Sequence, residues 1–240
     1  MNALNRVGSK RGVAMTVKIV GHGWVGKAMK TMFPEAFVHD PEQGLVNNKK
    51  TDICFICVPT PNNDKAKLDV SIVEEAVKNS RADLIVIRST VNPGDTDRLK
   101  KKTGKRIVFQ PEYLGETPNH PMIDPTERQF LIIGGDQEDR RKLIELYHEV
   151  YNANVSIRQT SALEAEIIKL SENRAIAFKV AQCQELYDAC EAAGVDYHTI
   201  RDAVYGDDPR FTLWWTFVFP ENRGFNSKCI PKDVHAWADW

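Results

Sequence analysis

The sequence predicts an α/β chain in which a Rossmann-like doubly wound parallel sheet is followed by an α-helical domain built on one long helix. Three observations predict it. Short apolar runs alternate with helical segments from Val17 to Ile157, the first run leads straight into Gly21-His22-Gly23-Trp24-Val25-Gly26, and neither Pro nor Gly interrupts the chain between Ser161 and Gly194.

Val17 to Val20 reads as a strand, the glycines as a tight turn, and Lys27 to Phe33 as a helix. In such a turn the first glycine permits the bend and the second lets a pyrophosphate approach the backbone. The third lets helix and strand pack closely, with the helix N–H groups facing the phosphates. Ala36 to His39 gives a second strand ending in Asp40, nineteen residues after Gly21, where a carboxylate suits ribose hydroxyls and repels a 2′-phosphate; NAD is therefore the expected cofactor. The alternation continues through strand Ile53–Val58, helix Val70–Asn79, strand Leu84–Arg88, helix Thr96–Lys102 and strand Ile107–Phe109. Then come strand Phe130–Ile133, helix Gln137–Val150 and a short strand over Asn154–Ile157.

Ligands of parallel sheets gather at the carboxyl ends of the strands. Val58-Pro59-Thr60-Pro61, Ser89-Thr90-Val91-Asn92-Pro93-Gly94 and Pro111-Glu112-Tyr113-Leu114-Gly115-Glu116 each follow a strand, and together they predict a binding rim. The polar Arg158-Gln159-Thr160 is the expected boundary between a domain over 16–158 and a helical domain over 159–240, with 1–15 a disordered leader and Met15 an alternative start. Ser161 and Glu164 have the spacing of a capping box, and the helix they open runs for about 50 Å at 1.5 Å per residue. Such a rod suits bridging of domains or pairing with its copy in a homodimer, and it carries Lys169 and Asn173 on one face. Asp196 to Val204 reads as a short helix, and the aromatic loop Phe211 to Phe217 leads into the last segment.

That segment holds the sharpest chemical signal. Cys229 stands between Lys228 and Lys232, and positive charge favours the nucleophilic thiolate. With Asp233 as N-cap of a closing helix, the sulfur would also lie just before a helix N-terminus. The alternative is a small buried hydrophobe. Cys54 and Cys57 lie in a strand pattern whose faces alternate, so neither a redox pair nor a metal site is expected.

Composition narrows the function by exclusion. Of 240 residues, 42% are hydrophobic and 27% charged, and the net charge of −1 with no basic stripe gives no reason to expect nucleic acid. No apolar run has membrane-spanning length, no secretory h-region precedes Met15, and five cysteines without framework spacing predict reduced thiols in a cytoplasmic setting.

Taken in order, Gly21-x-Gly23-x-x-Gly26, Asp40, Val58-Pro59-Thr60-Pro61, Ser89-Thr90-Val91, Pro111-Glu112-Tyr113-Leu114-x-Glu116, Lys169-x-x-x-Asn173 and Cys229-x-Pro231-Lys232-Asp233 resemble the UDP-glucose/GDP-mannose 6-dehydrogenase family. The resemblance implies oxidation of a nucleotide sugar's C6 alcohol to a carboxylate, UDP-glucose first, by two hydride transfers to NAD through a cysteine thiohemiacetal and thioester. It implies that Cys229 is the nucleophile, that Lys169 and Asn173 stabilise the oxyanion, and that Asp233 works with Lys169 on a water. Glu116 is then the base of thioester hydrolysis, with Thr90 on the cofactor and water side. Cofactor contacts are implied for Gly21, Gly23, Trp24, Val25, Gly26, Asp40, Val58, Pro59, Thr60, Ser89, Thr90, Glu116 and Lys232. Substrate contacts are implied for Glu112, Tyr113, Leu114, Lys169, Asn173, Gly224 and Cys229.

The chain also departs from the family pattern. Asn226 and Ser227 stand where members usually carry glycines, and Gly115 replaces a usual basic residue. The resemblance further implies a third domain that walls the nucleotide pocket, so a partner chain completing that pocket is expected. Two rival readings stay open. One is a degenerate NAD-binding dimerisation module; the other is a single-step β-hydroxyacid-type dehydrogenase.

Overall fold

The computed structural model describes residues 15–63, 67–115, 124–126, 130–151, 153–227 and 229–240. Seven strands form one sheet. They are β1 (Val17–Val20), β2 (Phe37–His39), β3 (Thr51–Ile56), β4 (Ala82–Ile87), β5 (Ile107–Phe109), β6 (Phe130–Gly134) and β7 (Ser156–Thr160), in the spatial order β2-β1-β3-β4-β5-β6-β7. β1 to β5 are parallel, as their alternation with helices requires. The uniformly parallel expectation fails at one joint, because β6 pairs antiparallel with β5 through Phe109 and Gly134, so that β6 and β7 run the other way. The polar Arg158–Thr160 stretch is sheet as well, since it pairs in register with Ile132, Ile133 and Gly134.

Side chains alternate across the central strands and build a core on each face. Ile19, Ile53, Phe55, Leu84 and Val86 meet Met29 and Met32 of α1 (Trp24–Met32) and Leu143, Leu146 and Tyr147 of α4 (Gln137–Tyr147). On the other face, Cys54, Ile56, Ile85 and Ile87 meet Val73 and Val77 of α2 (Ser71–Asn79), Leu99 of α3 (Asp95–Thr103), and Ala165. Each large apolar side chain buried here contributes about 1.5–3 kcal/mol.

Ala165 belongs to α5 (Ala162–Ala193), a 32-residue helix opened by the predicted Ser161/Glu164 capping box and closed by Gly194 in a left-handed conformation. Its first turns lie against the sheet, where β6 comes so close that a Cβ on Gly134 would stand 2.6 Å from that of Ala165. Glu166 accepts the backbone N–H groups of Gly94 (2.6 Å) and Thr96 (2.8 Å), so α5 supplies the N-terminal cap that α3 lacks from its own residues. Farther along, Cys183 and Cys190 join Tyr197, Tyr205 and Val218 in a separate apolar cluster. The helix expected over Asp196–Val204 is α6 (Tyr197–Arg201), followed by a π-helical turn over Asp202–Asp207.

The closing helix, α7 (Ile230–Asp239), corrects the expected N-cap. Cys229, not Asp233, stands there, because Pro231 suits the second helical position and draws the helix start forward. Asp233 falls in the first turn, buried against α5. Leu68, Leu170 and Ala236 form the apolar seam joining the loop after β3 to α5 and α7.

Candidate active site

The sheet changes direction of construction between β1 and β3, and a crevice opens at the carboxyl ends of those strands. Backbone dominates there. Gly21 has φ +87°, and a Cβ on it would stand 2.6 Å from the Cys57 carbonyl oxygen; a Cβ on Gly26 would stand 2.0 Å from the Gly21 carbonyl oxygen. Gly23 by contrast faces open space at the uncapped start of α1, which leaves N–H groups available to an anion. The Asp40 carboxylate accepts the His22 N–H at 2.7 Å and the Gln43 side chain at 2.9 Å, which places it beside the glycine turn. These features fit the pyrophosphate and ribose of a dinucleotide, whose nicotinamide would supply hydride chemistry.

The remaining cofactor candidates line the same edge. Trp24, half-exposed, donates its indole N–H to the Gly115 carbonyl at 3.1 Å and so spans from the glycine turn to the loop after β5. Val25 packs on the core beneath. Ser89 donates to the Val58 carbonyl at 2.6 Å, tying the end of β4 to the loop that carries exposed Pro59 and buried Thr60; Thr90 follows, half-buried. Glu112 accepts the N–H groups of Tyr113 (2.7 Å) and Leu114 (2.8 Å) and forms a buried ion pair with Arg88. That fixes the backbone of the Glu112-Tyr113-Leu114 turn. Glu116 lies outside the described residues.

A second group of residues converges from α5, α7 and the Tyr113 loop. Asn173 donates to Asp233 Oδ2 at 2.5 Å, while Lys232 donates to Asp233 Oδ1 at 2.7 Å. Both oxygens of one buried carboxylate therefore orient groups across the α5–α7 interface. The Lys232 carbonyl accepts from Asn62 at 3.2 Å, which anchors α7 to the loop after β3. Lys169 is buried with its ammonium 5.1 Å from the centre of the Tyr113 ring. Burial holds its amine below the ordinary lysine range; Asp233, Glu172 and Cys229 oppose that, and Lys232 adds to it.

Cys229 is exposed at the mouth of this corner, within electrostatic reach of Lys169, and the α7 N–H groups begin at the next residue. Ser227 accepts the Ile230 N–H at 3.1 Å, so one of the two residues standing in place of glycine serves as a helix cap. Gly224 is exposed with φ +89°. Neither it nor Thr90 takes part in the contacts that join Lys169, Asn173, Lys232 and Asp233.

Sequence reasoning missed Arg88, Asn62, Glu166 and Glu172. The first three act through partners 24, 170 and 70 or more residues away, a relation no local pattern carries. Glu172 did have a signal, being one helical turn from Lys169 on the same face. Cys54 and Cys57 are outside any disulfide, and burial lifts them to about 11 and about 12 respectively, which disfavours their thiolates.

Residues 43–155 match the family model for the UDP-glucose/GDP-mannose dehydrogenase family, NAD binding domain, and residues 163–239 match the model for that family's central domain. The glycine turn and Asp40 precede the matched segment. A UDP-glucose 6-dehydrogenase of Rickettsia typhi is 29% identical over 199 residues, which cover 78% of this chain and 44% of that one. The UDP-glucose 6-dehydrogenase AglM of Haloferax volcanii is 28% identical over 210 residues, 78% of this chain and 47% of that one. The chain thus spans about half the length of the curated relatives it matches. Among solved structures, a UDP-glucose dehydrogenase of the archaeon Pyrobaculum islandicum superposes with a TM-score of 0.79 at 22% identity, covering 97% of this chain and 65% of that one. That likeness extends to the fold.

Proposed function

Because the chain belongs to the UDP-glucose/GDP-mannose dehydrogenase family, whose NAD-binding and central domains it carries, we propose that it forms the redox part of a nucleotide-sugar 6-dehydrogenase. The observation that carries this reading is the convergence of Lys169, Asn173 and Asp233 beside the Cys229 N-cap of α7, a corner that α7 shares with the loop after β3. NAD, when bound, accepts the hydride in each of two oxidations.

The chain's own residues supply the rest. Lys169, with its amine depressed by burial, takes the proton of the C6 alcohol as the first hydride leaves. The Cys229 sulfur then adds to the aldehyde carbon, and Lys169 and Asn173 hold the resulting oxygen as the thiohemiacetal forms. Loss of the second hydride gives a thioester, which water cleaves to carboxylate and free thiol. The helix N-terminus at Cys229 favours the thiolate, both before it attacks the aldehyde and as it leaves the thioester. Covalent attachment keeps the aldehyde from escaping between the two oxidations.

UDP-glucose is the preferred substrate, since the matched relatives named above are UDP-glucose 6-dehydrogenases. We place the protein in a reducing, cytoplasm-like compartment because its five cysteines lack the spacing of a disulfide framework; among the described residues no helix is long and apolar enough to cross a membrane. A homodimer through α5 is proposed on its exposed Leu163 and Phe178. Incubation of purified protein with NAD and a panel of nucleotide sugars tests the function. Two NADH per sugar supports it. One NADH per substrate points to a single-step dehydrogenase, and no turnover with any sugar points to a binding module.

A further inference from the structure

Asp233 has both oxygens engaged, one by Lys232 and one by Asn173. Lys169 is 8% exposed, and among the described residues its ammonium makes neither a hydrogen bond nor an ion pair, resting over the Tyr113 ring instead. A buried cation on an aromatic face still calls for a counter-charge. One turn farther along α5, on the same face, stands Glu172, whose Oε2 is buried and faces the Tyr113 hydroxyl. The Tyr113 hydroxyl is likewise buried, and Glu172 is the group that acts on it from α5. A buried carboxylate and a buried hydroxyl that act on each other therefore stand at the ring that carries Lys169, and titratable groups gathered in this way concentrate where a protein handles charge rather than where it only packs.

Resting on the dehydrogenase reading above, we propose that Glu172 is a positioning residue for the reaction. Its carboxylate balances the Lys169 ammonium and keeps it over the Tyr113 ring, which leaves Asp233 to orient Asn173 and Lys232. The titratable and charged groups around Lys169 come from three elements: Glu172 from α5; Asp233, Lys232 and Cys229 from α7 and its cap; and the neutral Tyr113 hydroxyl from the loop after β5, with Arg88 acting on that hydroxyl from the end of β4. Burial raises the Glu172 carboxyl above the ordinary range while Lys169 and then Tyr113 draw it down again, so carboxyl and amine each favour the charged form of the other. The active site then carries two carboxylates with separate duties, one for geometry and one for the protonation state of the amine that receives the substrate's proton.

The test follows the Lys169 side chain directly. In protein labelled with 13C at lysine Cε, the Lys169 resonance is assigned by its loss in Lys169→Met and titrated with pH. Removing the anion in Glu172→Gln lowers the midpoint by on the order of one pH unit, so that near the midpoint the ratio of neutral amine to ammonium rises about tenfold. Glu172→Leu shifts it the same way, and either folded variant suffices. A folded neutral variant whose Lys169 midpoint is unchanged or raised overturns the proposal. The titration needs no turnover, so its outcome is separate from that of the dehydrogenase reading. In protein that does turn over, the pH profile of kcat moves to lower pH with the midpoint. A purely structural role for Glu172 would instead scale kcat equally at every pH.

Discussion

The two ends of the crevice are built by different means. At the glycine turn, shape is set by backbone: Gly26 lies against the Gly21 carbonyl and Gly21 against Cys57, with the side chains of Asp40 and Gln43 adding hydrogen bonds to His22. At the α5–α7 corner, shape is set by side chains from three segments, with Asp233 holding Asn173 and Lys232 and the Tyr113 ring carrying Lys169. A steric cradle takes an added atom only by shifting backbone, but carries little charge. A polar corner tolerates shape changes better but is lost when one charge goes unmatched. Glu166 is the joint between them, since it fastens the rod that bears Lys169 to the N-terminus of α3 on the sheet.

Four substitutions bear on that contrast, in order of expected effect. Cys229→Ser should stop the second oxidation, lowering the overall rate on the order of 10³-fold while NAD affinity, measured by fluorescence quenching, stays put. Loss of both together would break the division between the two ends. Asp233→Asn leaves Lys232 without its counter-charge and misorients Asn173, and should cost about 3 kcal/mol in a urea melt as well as most activity. An unchanged melt would mean the corner is held by packing alone.

Glu166 gives a pH signature. Burial raises its carboxyl from 4.5 to about 7 against the pull of Thr96 and Gly94. The folded chain therefore keeps this proton over a range where the unfolded chain releases it. The resulting stability is fully present below pH 4.5 and is lost as pH rises through about 7, a change of about 3 kcal/mol. Glu166→Gln should flatten that dependence in melts taken across the same range; an identical slope in both proteins would remove Glu166 as its source. Gly26→Ala is the smallest effect. The new Cβ must push the Gly21 carbonyl aside, at about 2 kcal/mol or ~30-fold in NAD affinity, with the Lys169 titration unmoved.

The same contrast explains what the sequence disclosed. Glycine spacing, strand alternation and the Ser161/Glu164 cap are local rules, and β1, β5 and the long helix came out at or near their observed bounds. The reversal at β5–β6 was not legible, because pairing direction depends on how a connection travels and not on the strand's own residues. Asp233 was read as a helix cap because Asp is a good one. Its real partner, Asn173, lies 60 residues away and competes with no local signal. Glu172 was passed over because a glutamate in a helix reads as solvated until burial is known.

On the proposed mechanism, Cys229, the Lys169–Asn173 face and the bound nicotinamide work on one carbon in succession. Its most direct test is the intact mass of protein quenched during turnover with NAD and UDP-glucose, followed by mapping of any adduct. A sugar-nucleotide adduct is expected on the Cys229 peptide, absent without NAD and absent in Cys229→Ser. Release of two NADH per sugar with Cys229 unmodified throughout, and at the same rate in Cys229→Ser, would contradict it.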